Sequence, residues 1–181
     1  MEPTTETVVV PAACGDLRAR IWLDAPAPRP GLVLVDGSGD SAVEDGDDWA
    51  RRLTASNAVV LGHDKPGCGG NPHKLAFLAG ILDLEPAEIL PRITCPVLAL
   101  FGAADPLVPV PDSVATFARH LPPLPGDPHG LAVFPGADHG LFTAPSHPSI
   151  PRTDQLAAGL LPMITEFLHR AHETATSGHD R

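Results

Sequence analysis

The sequence predicts an α/β protein, a doubly wound and mostly parallel sheet with helices on both faces. Three observations predict it. Residues 32–35, 58–61 and 97–101 are apolar at every position, lacking the alternation of a half-exposed strand, and so read as strands buried on both faces. Between and after them lie segments with apolar residues at helical spacing: Trp49, Ala50 and Leu53, then Leu75, Leu78, Ala79 and Leu82, then Val114, Phe117, Ala118 and Leu121. Behind the strands come Gly-rich polar clusters holding Asp36, Ser38, His63, Asp64, Asp105 and His139. In open parallel sheets ligands sit beyond the carboxyl ends of the strands, which is where this chain gathers its reactive side chains.

Taken in order, residues 7–10 and 19–23 form an N-terminal hairpin around the turn Cys14-Gly15-Asp16. A proline-rich connector, 25–30, leads to the 32–35 strand. A helix over 45–56 follows, then the 58–61 strand, and then a helix over 74–83. The 97–101 strand precedes a helix over 112–121 that Asp112 is placed to cap. A Pro/Gly loop, 122–130, leads to a last strand at 131–134. The final helix presents Leu156, Leu160, Leu161, Ile164, Phe167, Leu168 and Ala171 on one face, with Pro162 expected to kink or restart it. After Thr174 the tail is polar and expected to fray. A length of 181 residues fits one domain: an N-terminal core half over 1–72, a crossover over 73–94, a C-terminal core half over 95–174 and a tail over 175–181.

Composition excludes several functions. With 12 Lys+Arg against 22 Asp+Glu, a net charge of −10 gives no basic face for nucleic acid or an anionic membrane. No run nears the roughly 18 apolar residues of a spanning helix, and MEPTTETVVV lacks the basic start and long apolar core of a signal peptide. A cytoplasmic chain is expected. Cys14, Cys68 and Cys95 are an odd number, far apart, and fit neither a disulfide framework nor a zinc site. Ten Arg against two Lys, with abundant Ala and Pro, suggest a GC-rich bacterial coding bias. The other histidines (His73, His120, His129, His147, His169, His172, His179) have no ligand spacing and read as surface residues. Asp36-Gly37-Ser38-Gly39 lacks the third Gly and the basic residue of phosphate and dinucleotide loops. No cofactor and no metal is expected.

The strand ends resemble the α/β-hydrolase family over two blocks, about 18–71 and 85–172. Leu34-Val35-Asp36-Gly37-Ser38-Gly39 is similar to the third-strand loop that supplies part of the oxyanion hole, with Asp36 where His is usual. Residues 64–70, Asp-Lys-Pro-Gly-Cys-Gly-Gly, resemble the Gly-rich turn after the fourth strand. Residues 95–105 resemble the strand and loop that carry the catalytic acid, here Asp105. Gly136-Ala137-Asp138-His139-Gly140 resembles the loop of the catalytic histidine, here His139. The resemblance implies an esterase-like hydrolase in which Asp105 orients His139.

One part of the family pattern is absent. The nucleophile belongs on a G-x-S-x-G elbow between the Gly-rich turn and the acid strand. Here that interval, 71–94, contains neither serine nor cysteine. The chain reads as a hydrolase shortened in its middle, with the join near residues 72–74. Two local residues are weighed as substitutes: Ser38, otherwise a turn serine bonding its own backbone, and Cys68, otherwise an inert thiol. Asp36 and Asp64 read as turn residues.

Three functions follow. The first is an ester or acyl hydrolase ancestry for small neutral substrates, with weak activity or none. The second is a lyase, cyclase or hydrolase that uses Asp105–His139 as a base with Ser38 or water. The third is a non-catalytic partner subunit. Loss of an internal segment from the gene is a fourth, mundane account of the length. Shortening should bring the 97–101 strand beside the 32–35 strand, in the six-strand order 1-2-4-3-5-6. A missing cap should expose apolar surface, so a homodimer or a partner protein is expected besides a small-molecule substrate.

Overall fold

The computed structural model describes residues 3–12, 15–24, 29–35, 42–64, 84–126 and 129–177. The chain divides into two compact units, Met1–Leu84 and Glu85–Arg181, the boundary falling within the expected crossover.

In the first unit β1 (Thr4–Val10) and β2 (Leu17–Leu23) form the expected antiparallel hairpin, Thr4 opposite Leu23 and Val10 opposite Leu17. The hairpin turn places Gly15 at φ +106°, a backbone conformation that glycine adopts without steric cost. β3 (Gly31–Leu34) runs parallel to β4 (Val59–His63), and β4 also pairs with β2, giving the order β1-β2-β4-β3. Trp22 is fully buried, opposite buried Val60 on β4, and Ala19, Ala50 and Leu53 are buried as well. Its ring lies against Gly62, where a Cβ would stand 3.1 Å from the indole. Truncating an indole buried in this way typically removes about 3–5 kcal/mol.

Between β3 and β4 stand a 3₁₀ turn, Val43–Gly46, and α1 (Asp47–Thr54). Asp47 and Asp48 in the first turn and Arg51 and Arg52 in the last complement the helix dipole. Arg52 donates to Asp48 one turn away at 2.8 Å. Asn57, at φ +66°, turns the chain out toward β4.

The second unit opens with a short helix missing from the sequence reading, α2 (Pro86–Ile89), followed by a 3₁₀ turn, Leu90–Arg92. Glu85 caps it and Pro86 starts it, where the missing N–H costs nothing. β5 (Leu98–Gly102), α3 (Val110–His120) and β6 (Gly130–Phe134) then make a strand–helix–strand unit with parallel strands, Leu98 opposite Gly130 and Gly102 opposite Phe134. Phe101 on β5 meets Phe117 on α3 edge to face, centroids 5.7 Å apart. α3 starts two residues earlier than expected, with Pro109 at the cap position and Asp112 inside the first turn, not capping it. It ends because Leu121 precedes Pro122 and is pushed to extended backbone.

A 3₁₀ turn, Arg152–Asp154, and α4 (Leu160–Ser177) complete the unit. Pro162 causes no break, since α4 begins only at Leu160 and the proline falls in the first turn, where N–H groups are unbonded anyway. The helix continues past Thr174, beyond the expected fraying point.

Among the described residues the strands form two ladders, β1-β2-β4-β3 and β5-β6, so the segments 1-2-4-3 and 5-6 of the expected order are present. The expected burial of the 32–35 strand on both faces is corrected. β3 ends its ladder with Val33 and Val35 exposed, so its unbroken apolar run is not buried on both faces.

Candidate active site

Asp105 stands just beyond β5 and His139 in the loop after β6, so parallel pairing of the two strands brings both residues to the same end of the ladder. Backbone contacts join the two loops. Ala103 N–H donates to Phe134 O at 3.0 Å and Ala104 N–H to Ala137 O at 2.8 Å. Gly102 makes this approach possible: a Cβ there would lie 2.1 Å from the Asp138 carbonyl oxygen and 2.4 Å from that of Ala137.

The Asp105 carboxylate is divided between two tasks. Oδ1 accepts from Leu107 N–H at 2.7 Å and Val108 N–H at 3.1 Å, which fixes its rotamer. Oδ2 is left for His139 Nδ1, 2.8 Å away. Desolvation raises the Asp105 pKa, but the hydrogen bonds from His139, Leu107 and Val108 outweigh it and hold the carboxyl below its ordinary range. An ionised carboxylate can only accept, so the imidazole proton sits on Nδ1. In the neutral ring Nε2 then carries the lone pair. It makes no hydrogen bond among the described residues, on a side chain that is 54% exposed. An imidazole oriented in this way can act as a general base.

The histidine loop is itself braced. Asp138 Oδ1 accepts from Gly140 N–H at 3.0 Å and from Phe142 N–H at 3.1 Å. Asp138 N–H donates to Phe142 O at 2.9 Å, and Asp138 Oδ2 forms an ion pair with Arg152. Leu141 takes φ +60°, an uncommon conformation for a residue with a Cβ that costs about 1–3 kcal/mol.

Of the other sequence-predicted residues, Asp36, Gly37, Ser38 and Gly39 lie outside the described residues, as do Cys14, Cys68 and the 74–83 helix. Asp64 is described, and it is not a turn residue bonding its own backbone. It lies in the first unit, buried after β4, and receives Arg18 Nε at 3.1 Å and Nη2 at 3.2 Å together with Val43 N–H at 2.8 Å. His63 turns its Nδ1 to the Asp64 carbonyl, 2.8 Å away. His129 is no free surface residue either. Its Nδ1 accepts from Val97 N–H at 3.1 Å and its Nε2 lies 2.9 Å from the Pro122 carbonyl, so the ring ties the 122–130 loop to the start of β5. Cys95 is exposed. Among the described residues no cluster of three or more His, Cys, Asp or Glu is placed to hold a metal ion, and no helix is long and apolar enough to cross a membrane.

Sequence reasoning missed Asp138 and Arg152. The Asp138-His139-Gly140 run carries a signal for the first, since Asp is the residue that bonds backbone N–H groups two positions on. Nothing in the sequence marks Arg152.

No protein-family model matches the chain, and no curated protein matches its sequence. Solved structures do. A 2,6-dihydroxy-pseudo-oxynicotine hydrolase superposes at a TM-score of 0.64 and 14% identity, over 93% of this chain and 68% of its own. A dienelactone hydrolase-like promiscuous phosphotriesterase from metagenomic libraries gives 0.64 and 17%, over 92% and 98%. The chain has an α/β-hydrolase fold. A hyperthermophilic esterase from the archaeon Pyrobaculum calidifontis shares the α/β-hydrolase fold with it at 0.56 and 13%, over 96% and 87%. At these identities the likeness concerns the fold.

Proposed function

We propose that this α/β-hydrolase-fold protein descends from ester or acyl hydrolases of small neutral substrates and retains their base and orienting acid but not their nucleophile, so that its turnover is weak. The observation that carries the reading is the 2.8 Å hydrogen bond from His139 Nδ1 to a carboxylate already fixed by two backbone N–H groups. The esterase and dienelactone hydrolase-like neighbours support the reaction class. The absence of serine and cysteine from residues 71–94 supports the loss of the nucleophile.

In the remaining chemistry His139 Nε2 removes a proton from water as the water oxygen bonds to the ester carbonyl carbon. The tetrahedral adduct then expels the alkoxide, which takes the proton back from the imidazolium. Asp105 stays ionised throughout and stabilises the imidazolium. A positioned base of this kind contributes about 10²–10⁴-fold.

The test is p-nitrophenyl ester turnover by the full chain and by His139→Ala, with the intact mass measured after incubation with a serine-directed phosphonate. Slow turnover that falls to the buffer rate in His139→Ala, with no stoichiometric adduct, is expected. A stoichiometric adduct would mean that a nucleophile exists elsewhere in the chain. Equal rates for the two proteins would remove His139 as the base.

A further inference from the structure

His139 presents a difficulty that its own contacts do not solve. Its ring is more than half exposed and makes a single hydrogen bond among the described residues, to Asp105. An imidazole so lightly held takes its place from its backbone, and that backbone belongs to the loop 138–142. The loop is closed by Asp138 N–H to Phe142 O at 2.9 Å, by Leu141 N–H to Asp138 O at 3.0 Å, and by the two N–H groups bonded to Asp138 Oδ1. The remaining oxygen of Asp138 pairs with Arg152, which reaches in from the 3₁₀ turn Arg152–Asp154.

Arg152 does more than neutralise that charge. Its Nη1 donates to the Thr143 carbonyl at 3.0 Å, and its guanidinium lies 4.6 Å from the centre of the Phe142 ring. One planar group thus grips residues 138, 142 and 143, the start and the end of the turn that carries His139. The turn bearing Arg152 is anchored in turn by Gln155. That buried side chain bonds His147 N–H at 2.6 Å and the carbonyls of His147 and Ile150 at 3.0 and 2.6 Å. A lysine could not serve all three contacts, because only the guanidinium combines a donor fork with a flat face for stacking.

We propose that Arg152 and Asp138 are positioning residues that hold the His139 imidazole against Asp105. This rests on His139 being the base, but the decisive measurement does not depend on activity. The tautomer of His139 is read from its ring ¹⁵N shifts in a long-range ¹H–¹⁵N spectrum of the full chain, with His139→Ala identifying the signal. Free histidine prefers the proton on Nε2, whereas a ring held on Asp105 carries it on Nδ1. The full chain is expected to show the Nδ1–H form. Arg152→Gln is expected to shift His139 toward the Nε2–H form and Arg152→Lys to restore the first only in part. Ester kcat is expected to fall about tenfold with KM within about twofold, since a misplacement of about 1 Å can cost up to 10²-fold.

A purely structural role would lower the melting temperature of Arg152→Gln and leave the tautomer unchanged, and that result overturns the proposal. So does an Nε2–H ring in the unmutated chain. If Arg152→Gln does not fold, Asp138→Asn decides the matter: its amide oxygen can still accept from Gly140 and Phe142 while the charge facing Arg152 is gone, and an unchanged tautomer there is equally fatal. Absent ester turnover in the unmutated chain, with the Nδ1–H form present, would count against the weak-hydrolase reading and leave the positioning role standing on the tautomer result.

Discussion

Each compact unit carries a buried carboxylate just past the end of a parallel strand, Asp64 after β4 and Asp105 after β5. Both accept backbone N–H groups, and both are held below the ordinary carboxylate range although burial, the largest single influence on each, pushes the other way. They differ in the partner. Asp64 faces Arg18, whose pKa is pushed still higher by Asp64 and Glu44, so its proton never leaves. Asp105 faces the His139 imidazole, whose second ring nitrogen makes no hydrogen bond among the described residues. The same strand-end carboxylate is thus a fixed strut on a guanidinium in one unit and a partner to an imidazole in the other. The partner, more than burial or position, is what distinguishes the two carboxylates.

The largest effect should come from the junction that only the second carboxylate has. Gly102→Ala would drive a Cβ to 2.1 Å from the Asp138 carbonyl and force the acid and histidine loops apart. The cost should lie at the upper end of overpacking, about 3 kcal/mol. A lower urea midpoint together with loss of the Nδ1–H tautomer of His139 is the expected pairing. A midpoint within error of the unmutated chain would mean that the loops do not approach as closely as described.

Asp64→Asn should come next. The amide can still accept from Val43 but no longer neutralises Arg18, and loss of a charge-assisted bond of this kind costs about 1–3 kcal/mol. Urea unfolding at constant slope measures it. The same protein should keep its ester turnover, because Asp64 belongs to the strut. A fall in kcat comparable to that of His139→Ala would erase the distinction between the two carboxylates. His139→Ala itself should scarcely alter stability, since its side chain is more than half exposed.

The sequence made one of these carboxylates far easier to read than the other. Asp105 and His139 were legible because each follows an apolar strand in a short polar run, so strand pairing alone decides where they meet. The Asp64–Arg18 pair joins residues 46 positions apart, one of them on an exposed-edge hairpin, and no local pattern announces it. Asp64 accordingly reads as a turn residue. His129 misleads similarly, because its partners at Val97 and Pro122 meet it only once β5 and β6 are paired. The strands over 58–61 and 97–101 and the helices after 45 and 110 were visible from periodicity. The order 1-2-4-3 and the pairing 5-6 were legible, the hairpin and the two βαβ units because short connections limit the choices.

The smallest expected effect is on the acid limb of stability. A carboxylate whose pKa is lowered by folding stabilises the native state fully above its unfolded value, about 3.9, and loses that contribution as pH falls through the lower native value. Asp105→Asn has nothing to protonate. It should therefore be less stable than the unmutated chain at neutral pH and converge with it as pH falls below about 4. Asp64, whose carboxyl is likewise held low in the fold, should give the same convergence for Asp64→Asn. His139→Ala sharpens the contrast in the opposite sense: without the imidazole, Asp105 loses one of the bonds that lower its pKa, so its acid loss should be smaller and complete at a higher pH. Urea midpoints at a series of acid pH values decide this. Parallel curves for Asp105→Asn and the unmutated chain would mean that the carboxylate gains nothing from its three hydrogen bonds on folding.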